Sequence, residues 1–142
     1  MATVVLLGTL DTKGHEFQFL RTRLLAEGCD TVLVDAGIMG TPLVTPDVSA
    51  DEVARAAGEE RGALAAAGDR GAAVAAMGYG AAQVLQRLYA EGRLHAVLGM
   101  GGSGGSSLFS RAVSGLPVGT PKILVSTVAS GNTRAYVGTT DL

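Results

Sequence analysis

Leu94-His95-Ala96-Val97-Leu98-Gly99-Met100-Gly101-Gly102-Ser103-Gly104-Gly105-Ser106 runs from an apolar segment into a glycine and serine turn. Leu94 to Leu98 reads as a buried strand, and the turn opens a short helix through Leu108, Ala112 and Val113. A strand that feeds such a turn at a helix N-terminus gathers bare amides and the positive end of the helix dipole, the elements of a phosphate cradle. Glycine also serves positive φ and close backbone approach, so the surroundings decide between a cradle and a packed turn.

The same grammar repeats outward from that stretch. Thr3-Val4-Val5-Leu6-Leu7 is β-branched and apolar throughout, as strands buried on both faces of a parallel sheet are. Gly8-Thr9-Leu10-Asp11-Thr12-Lys13-Gly14 then turns the chain, with Asp11 or Thr12 as the expected cap of a helix whose Phe17, Leu20 and Leu24 share one face. That helix ends near Gly28, and Thr31-Val32-Leu33-Val34 forms a second strand closed by Asp35-Ala36-Gly37. Pro42 and Pro46 make the stretch from Met39 to Val48 an irregular connection, a candidate lid.

Ser49-Ala50-Asp51-Glu52 is a helix start, interrupted at Gly58 and followed by a second short helical piece. Val74, Met77, Ala81, Val84 and Leu88 recur by threes and fours, so a long amphipathic helix spans about Arg70 to Glu91. Gly78 and Gly80 inside it cost about 1 kcal/mol each against alanine, which predicts a close neighbouring backbone or a bend. Lys122-Ile123-Leu124-Val125 is the fourth strand, with a polar loop from Ser126 to Thr133 at its end.

Strands alternating with helices over 142 residues define one α/β domain: Rossmann-like, doubly wound, with a mainly parallel sheet in a three-layer α/β/α arrangement. The sequence stops soon after its last loop, which reads as a truncation, with the closing element left to a longer chain or a partner. A net charge of -2 with scattered basic residues argues against a nucleic-acid duplex or an anionic membrane as partner. The opening has no basic leader and no apolar run of bilayer length, so a cytoplasmic protein is expected. The single cysteine, Cys29, excludes an internal disulfide and reads as a small buried hydrophobe.

For a 2-1-3-4 strand order the ligand crevice lies beyond the carboxyl ends of the first and third strands. Thr9 to Lys13, Asp35, Met100 to Ser106 and the Ser126 to Thr133 loop should all face it. Gly99, Gly101 and Gly104 satisfy G-x-G-x-x-G, yet the next strand ends Val125-Ser126-Thr127 and lacks the acid that would hold a dinucleotide ribose. No Walker motif is present, although Lys13 could meet a phosphate. Asp11, Asp35 and Asp141 are candidates for magnesium or a ribose hydroxyl; as plain structure they are a helix cap, a strand-end turn and a terminus. His95 lies at the wrong end of its strand and reads as structural, and Ser103, Ser126 and Ser130 lack an evident base.

Three of these motifs also carry a resemblance. Gly8 to Gly14, Gly101 to Ser106, and Val125 to Gly131 continuing through Tyr136-Val137-Gly138 to Asp141 resemble, in that order, the N-terminal domain of a family of largely uncharacterised proteins. That family is named for the ATP-binding domain of a plant tobamovirus-resistance protein. The resemblance spans nearly the whole chain and implies a Rossmann-like ATP-binding domain, a following second domain, and self-association into a homo-oligomer. In the resistance protein the domain binds a viral replication protein, a role not carried over here. Ser106 stands where the family usually has threonine, and Asn132 where it has aspartate, so a carboxylate is lost at that position.

Together these readings predict a nucleotide-binding domain for ATP with magnesium. The amides of Gly101, Gly102, Gly104 and Gly105 and the hydroxyl of Ser103 would hold phosphates, and Ser106 would belong to the same binding loop. Thr9, Asp11 and Thr12 would form the opposite wall; Asp35 or Asp141 would take ribose or metal-bound water; Ser126, Thr127, Ser130 and Gly131 would close the third side. Hydrolysis is not implied. The alternatives are an enzyme acting on a phosphorylated small metabolite and an assembly domain whose glycines only permit close packing.

Overall fold

The computed structural model describes residues 1–127, 131, 134–137 and 141–142. A parallel sheet of β1 (Thr3–Gly8), β2 (Asp30–Asp35), β3 (Ala96–Gly101) and β4 (Lys122–Ser126) is ordered β2-β1-β3-β4. Strand order therefore reverses between β1 and β3, as expected. Helix α1 (Leu10–Ala26) joins β1 to β2; α2 (Ala50–Ala56), α3 (Arg61–Ala67) and α4 (Arg70–Ala90) lie between β2 and β3; α5 (Ser103–Val113) precedes β4 and α6 (Arg134–Val137) follows it.

Successive strand side chains point to opposite faces, and this alternation divides the core in two. Leu6 and Leu33 face Leu10 and Phe17 of α1, while Val5, Leu7 and Val97 face Met77, Leu85 and Leu88 of α4 and Phe109 of α5. Full burial of side chains of this size stabilises by about 1.5–3 kcal/mol each. On β4, Leu124 packs toward the α4 and α5 side, so Ile123 and Val125 alternate onto the other face, where both stay exposed.

The two glycines within α4 serve close approach rather than a break. A Cβ on Gly80 would overlap the Val53 carbonyl of α2, and one on Gly78 would come within 3.1 Å of Arg111 and 3.5 Å of the Leu108 carbonyl of α5. Helix α4 runs unbroken between them, its N-cap Asp69 accepting the Ala72 amide at 3.0 Å. Ser49 caps α2 in the same way, accepting the Glu52 amide at 3.2 Å.

Two boundaries differ from the sequence expectation. Leu94 precedes β3, which instead continues through Gly99, Met100 and Gly101, because Gly99 pairs with Leu124 and Gly101 with Ser126. The expected glycine turn shrinks to Gly102, the N-cap of α5. Neither Asp11 nor Thr12 caps α1: the helix begins at Leu10 behind Thr9, and the Leu10 amide is satisfied by Asp35 Oδ1 instead.

His95 Nδ1 accepts the Thr3 amide at 2.9 Å, tying the amino ends of the strands together. Cys29 is partly buried between α1 and β2. Among the described residues no helix is long and apolar enough to cross a membrane.

Candidate functional site

Beyond the carboxyl ends of β1 and β3 the chain leaves a cavity of about 710 Å³. One wall is the start of α1, with Thr9, Asp11, Thr12 and Lys13; facing it is the glycine turn from Gly101 to Gly105. Asp69 and Arg70 contribute the start of α4, and Ile38, Met39, Leu64, Val74 and Leu108 add an apolar lining.

The glycine wall follows from backbone packing and helix ends. The Ser106 amide donates to the Gly102 carbonyl at 2.9 Å and is the first intrahelical donor, so the amides of Ser103, Gly104 and Gly105 before it have no acceptor within the helix. No side chain caps this end, and no acid occupies its first turn. A Cβ on Gly101 would lie 2.9 Å from the Gly105 Cα, so these two glycines let strand and helix touch backbone to backbone. Gly102 and Gly104 do something different: a Cβ on either would find its nearest neighbours only at 3.7 and 3.9 Å. Their missing side chains keep the cavity open rather than relieve a clash.

On the opposite wall the Thr9 and Thr12 hydroxyls are 2.7 Å apart, and Thr12 also donates to the Thr9 carbonyl at 3.2 Å. Asp35 is 2% exposed and its Oδ1 accepts the amides of Leu10 at 3.1 Å and Gly37 at 2.8 Å. Burial pushes its carboxyl above the ordinary 3.8, the nearby Asp11 pushes the same way, and the two amides and Arg61 pull it back. Asp35 thus fastens two loops together behind the cavity lining. Asp11 does line the cavity, and its Oδ1 is buried with no hydrogen-bond partner among the described residues. A Cβ on Gly37 would sit 2.6 Å from that oxygen and 3.1 Å from Asp35 Oδ1, so both carboxylates crowd the place where this glycine lacks a side chain.

The connection after β2 is pinned by Arg61, which donates through Nε to the Gly37 carbonyl at 3.0 Å and through Nη2 to the Gly40 carbonyl at 2.5 Å. Nothing in the sequence singles this arginine out at the start of a short helix. The apolar lining was equally hidden, since Ile38, Met39, Leu64, Val74 and Leu108 come from separate elements that only the fold brings together.

The remaining expected residues lie elsewhere. Ser106 is buried behind the turn, donating to the Gly102 carbonyl at 2.6 Å and meeting the Ser126 hydroxyl at 2.5 Å, so this pair joins α5 to β4. The Thr127 amide reaches the Gly101 carbonyl at 3.3 Å, beside the glycine turn. Gly131 is exposed; Ser130 and Asn132 lie outside the described residues. Asp141 is far from the crevice: it accepts from Lys122 Nζ at 2.5 Å and from the Gly119 amide at 2.7 Å, at the amino end of β4. The Lys122 hydrogen bond, with that amide, holds its carboxyl below the ordinary 3.8.

A parallel α/β sheet with helices on both faces, opening into a glycine-edged crevice where strand order reverses, is a Rossmann-like domain. Residues 2–142 match the family model described as "Uncharacterised protein family (UPF0261) N-terminal domain", and the chain belongs to that family. It is 42% identical to a UPF0261 protein of Clostridium tetani over 139 residues, covering 98% of this chain and 34% of that relative. A Rhizobium meliloti UPF0261 protein is 40% identical over 142 residues, all of this chain and 35% of the relative. The tomato ToMV resistance protein Tm-1(GCR237) is 58% identical over 52 residues, 37% of this chain and 7% of that protein. The chain thus spans about a third of the length of the bacterial relatives it matches.

Proposed function

We propose that this domain binds ATP, with magnesium, in the crevice between the ends of β1 and β3. The observation that carries the reading is the start of α5, where uncapped amides border a cavity that Gly102 and Gly104 leave clear. An anion there meets donors already oriented and the positive end of an 11-residue helix. The apolar lining offers a surface for the base, while the hydroxyls of Ser103, Thr9 and Thr12 face the polar part of the ligand. Among the described residues no group of three or more His, Cys, Asp or Glu is placed to hold a metal. Magnesium commonly arrives on the phosphates and needs only one or two protein carboxylates; Asp11, which lines the cavity, is the acid at hand. Homo-oligomerisation is part of the same proposal and rests on the family resemblance.

Isothermal titration with MgATP, and with ADP, NAD and phosphate for comparison, tests the reading. Saturable ATP binding that disappears in a folded Gly102→Val variant is expected, because the first added carbon has room and the two methyl groups add bulk at a residue that lines the cavity. Absence of heat, and of the roughly 2.7 kcal/mol of stabilisation expected at about a hundred times the dissociation constant, would overturn it. Turnover of a sugar phosphate without ATP would instead favour the metabolite enzyme, with Asp11 on the cavity wall as the base.

A further inference from the structure

The charged groups around this crevice are arranged unevenly. Four ionisable side chains line it: Asp11, Lys13, Asp69 and Arg70. Both acids have an oxygen turned to the backbone, Asp69 Oδ1 as the cap that accepts the Ala72 amide and Asp11 Oδ1 buried against Gly37. Both cations are exposed, and neither takes part in an ion pair among the described residues. Arg70 is also the first residue of α4, where the helix dipole disfavours positive charge, while Lys13 sits at a non-helical kink (φ -116°, ψ 17°) near the start of α1. Arg70 Nη2 is 3.9 Å from the place a Cβ would take on Gly104, so the guanidinium overhangs the start of α5. Two cations outside any ion pair among the described residues, on two walls of one cavity and one of them set against its own helix dipole, are reconciled by a ligand with more negative charge than a single phosphate carries.

We propose that the crevice selects ligands with at least two linked phosphates, a nucleoside di- or triphosphate, and that Arg70 is the clamp on the phosphate beyond the one seated on the glycine turn, with Lys13 opposite. The proposal rests on the nucleotide reading of this crevice and adds what decides between nucleotides. Arginine suits the role because its planar fork meets two phosphate oxygens at once, whereas lysine acts as a point charge. Arg70 is exposed and the Asp69 cap does not depend on it, so its replacement leaves the fold in place.

The test titrates ATP, ADP, AMP and inorganic tripolyphosphate into the wild-type chain and the Arg70→Ala, Arg70→Lys and Lys13→Ala variants, with melting temperatures as a check on folding. Arg70→Ala is expected to weaken ATP and tripolyphosphate by about ten- to a hundred-fold, as loss of a charged hydrogen bond does. AMP should change by less than about twofold, and Arg70→Lys should recover part of the loss. Equal weakening of ATP and AMP, or an unchanged ATP affinity, would overturn the clamp while leaving the nucleotide site standing. A wild-type chain that binds tripolyphosphate through Arg70 but gains nothing from the nucleoside would keep the clamp and overturn the nucleotide reading. Binding of neither would overturn both.

Discussion

Asp35 and Leu10, 25 residues apart in sequence, are joined at 3.1 Å by the carboxylate of one and the amide of the other. The same oxygen takes the Gly37 amide at 2.8 Å. One acid at the end of β2 thereby sets the first turn of α1, and with it the wall that carries Thr9, Asp11 and Thr12. Asp35 acts on the crevice from behind, through backbone.

Asp35→Ala should leave two buried amides without an acceptor and destabilise the domain by about 1–3 kcal/mol. Asp35→Asn keeps a carbonyl oxygen at that place and should stay within about 1 kcal/mol of wild type. Urea denaturation of the two variants reads the difference, and equal losses would show that the charge rather than the acceptor matters.

The same residue gives a pH dependence of definite sign. Because burial raises the native pKa of Asp35 above 3.8, the folded state holds this proton more tightly than the unfolded state. The cost of its charge is fully present above the native pKa and is relieved as the pH falls through that value toward 3.8. Asp141 works the other way: its pKa is lowered by Lys122, so its contribution is present above 3.8 and lost as the pH falls through the native value. The stability of Asp35→Asn relative to wild type should therefore be highest near neutrality and fall on acidification, as followed by thermal unfolding across a pH series.

Adjacent glycines of the turn should respond differently to one methyl group. Gly101→Ala places a Cβ 2.9 Å from the Gly105 Cα, a backbone atom that cannot rotate aside. A loss of about 1–3 kcal/mol is expected. Gly102→Ala meets Thr127 Oγ1 at 3.7 Å, ordinary contact, and should stay within about 0.5 kcal/mol. Denaturation midpoints would separate them, and similar losses would contradict the assignment of packing to one and open space to the other.

In α4, Gly80→Ala should destabilise by about 1–3 kcal/mol although alanine is the better helix former by about 1 kcal/mol. The added carbon would strike the Val53 carbonyl. Gly71→Ala is the control: its Cβ would be 3.7 Å from Asp69 Oδ1, and a gain of about 0.5 kcal/mol is expected. A gain at both positions would mean that α2 and α4 can separate without cost.

Strand order, the helices on both faces and the crevice position were legible because each rests on a local signal. β-branched runs mark β1 and β2, threefold and fourfold spacing marks α4, and the switch-point rule needs only topology. Boundaries at the glycine turn were less legible, since Gly99 and Gly101 look like turn residues until β4 is seen pairing with them. Asp35 looked like a ligand contact because its position is right; that its oxygen is taken by Leu10 is a relation between loops that no spacing encodes. Asp141 was drawn to the crevice by its motif, while the buried Lys122 holds it at the opposite end. In the sequence Arg70 marks only the start of a long helix, and it is exposed there; what it overhangs is a property of α5.

Lys122 is buried, and its ammonium donates to the Pro117 carbonyl at 2.9 Å, the Thr120 carbonyl at 3.1 Å and Asp141 at 2.5 Å. The sequence holds only two lysines, and the other is Lys13, exposed on the crevice wall. An amine-acylating reagent applied to the folded domain therefore samples, apart from the N-terminus, a single position, and that position stands beside the cavity. Mass spectrometry of one peptide becomes a direct reporter of crevice occupancy, with the shielded Lys122 marking the moment when the fold itself is lost.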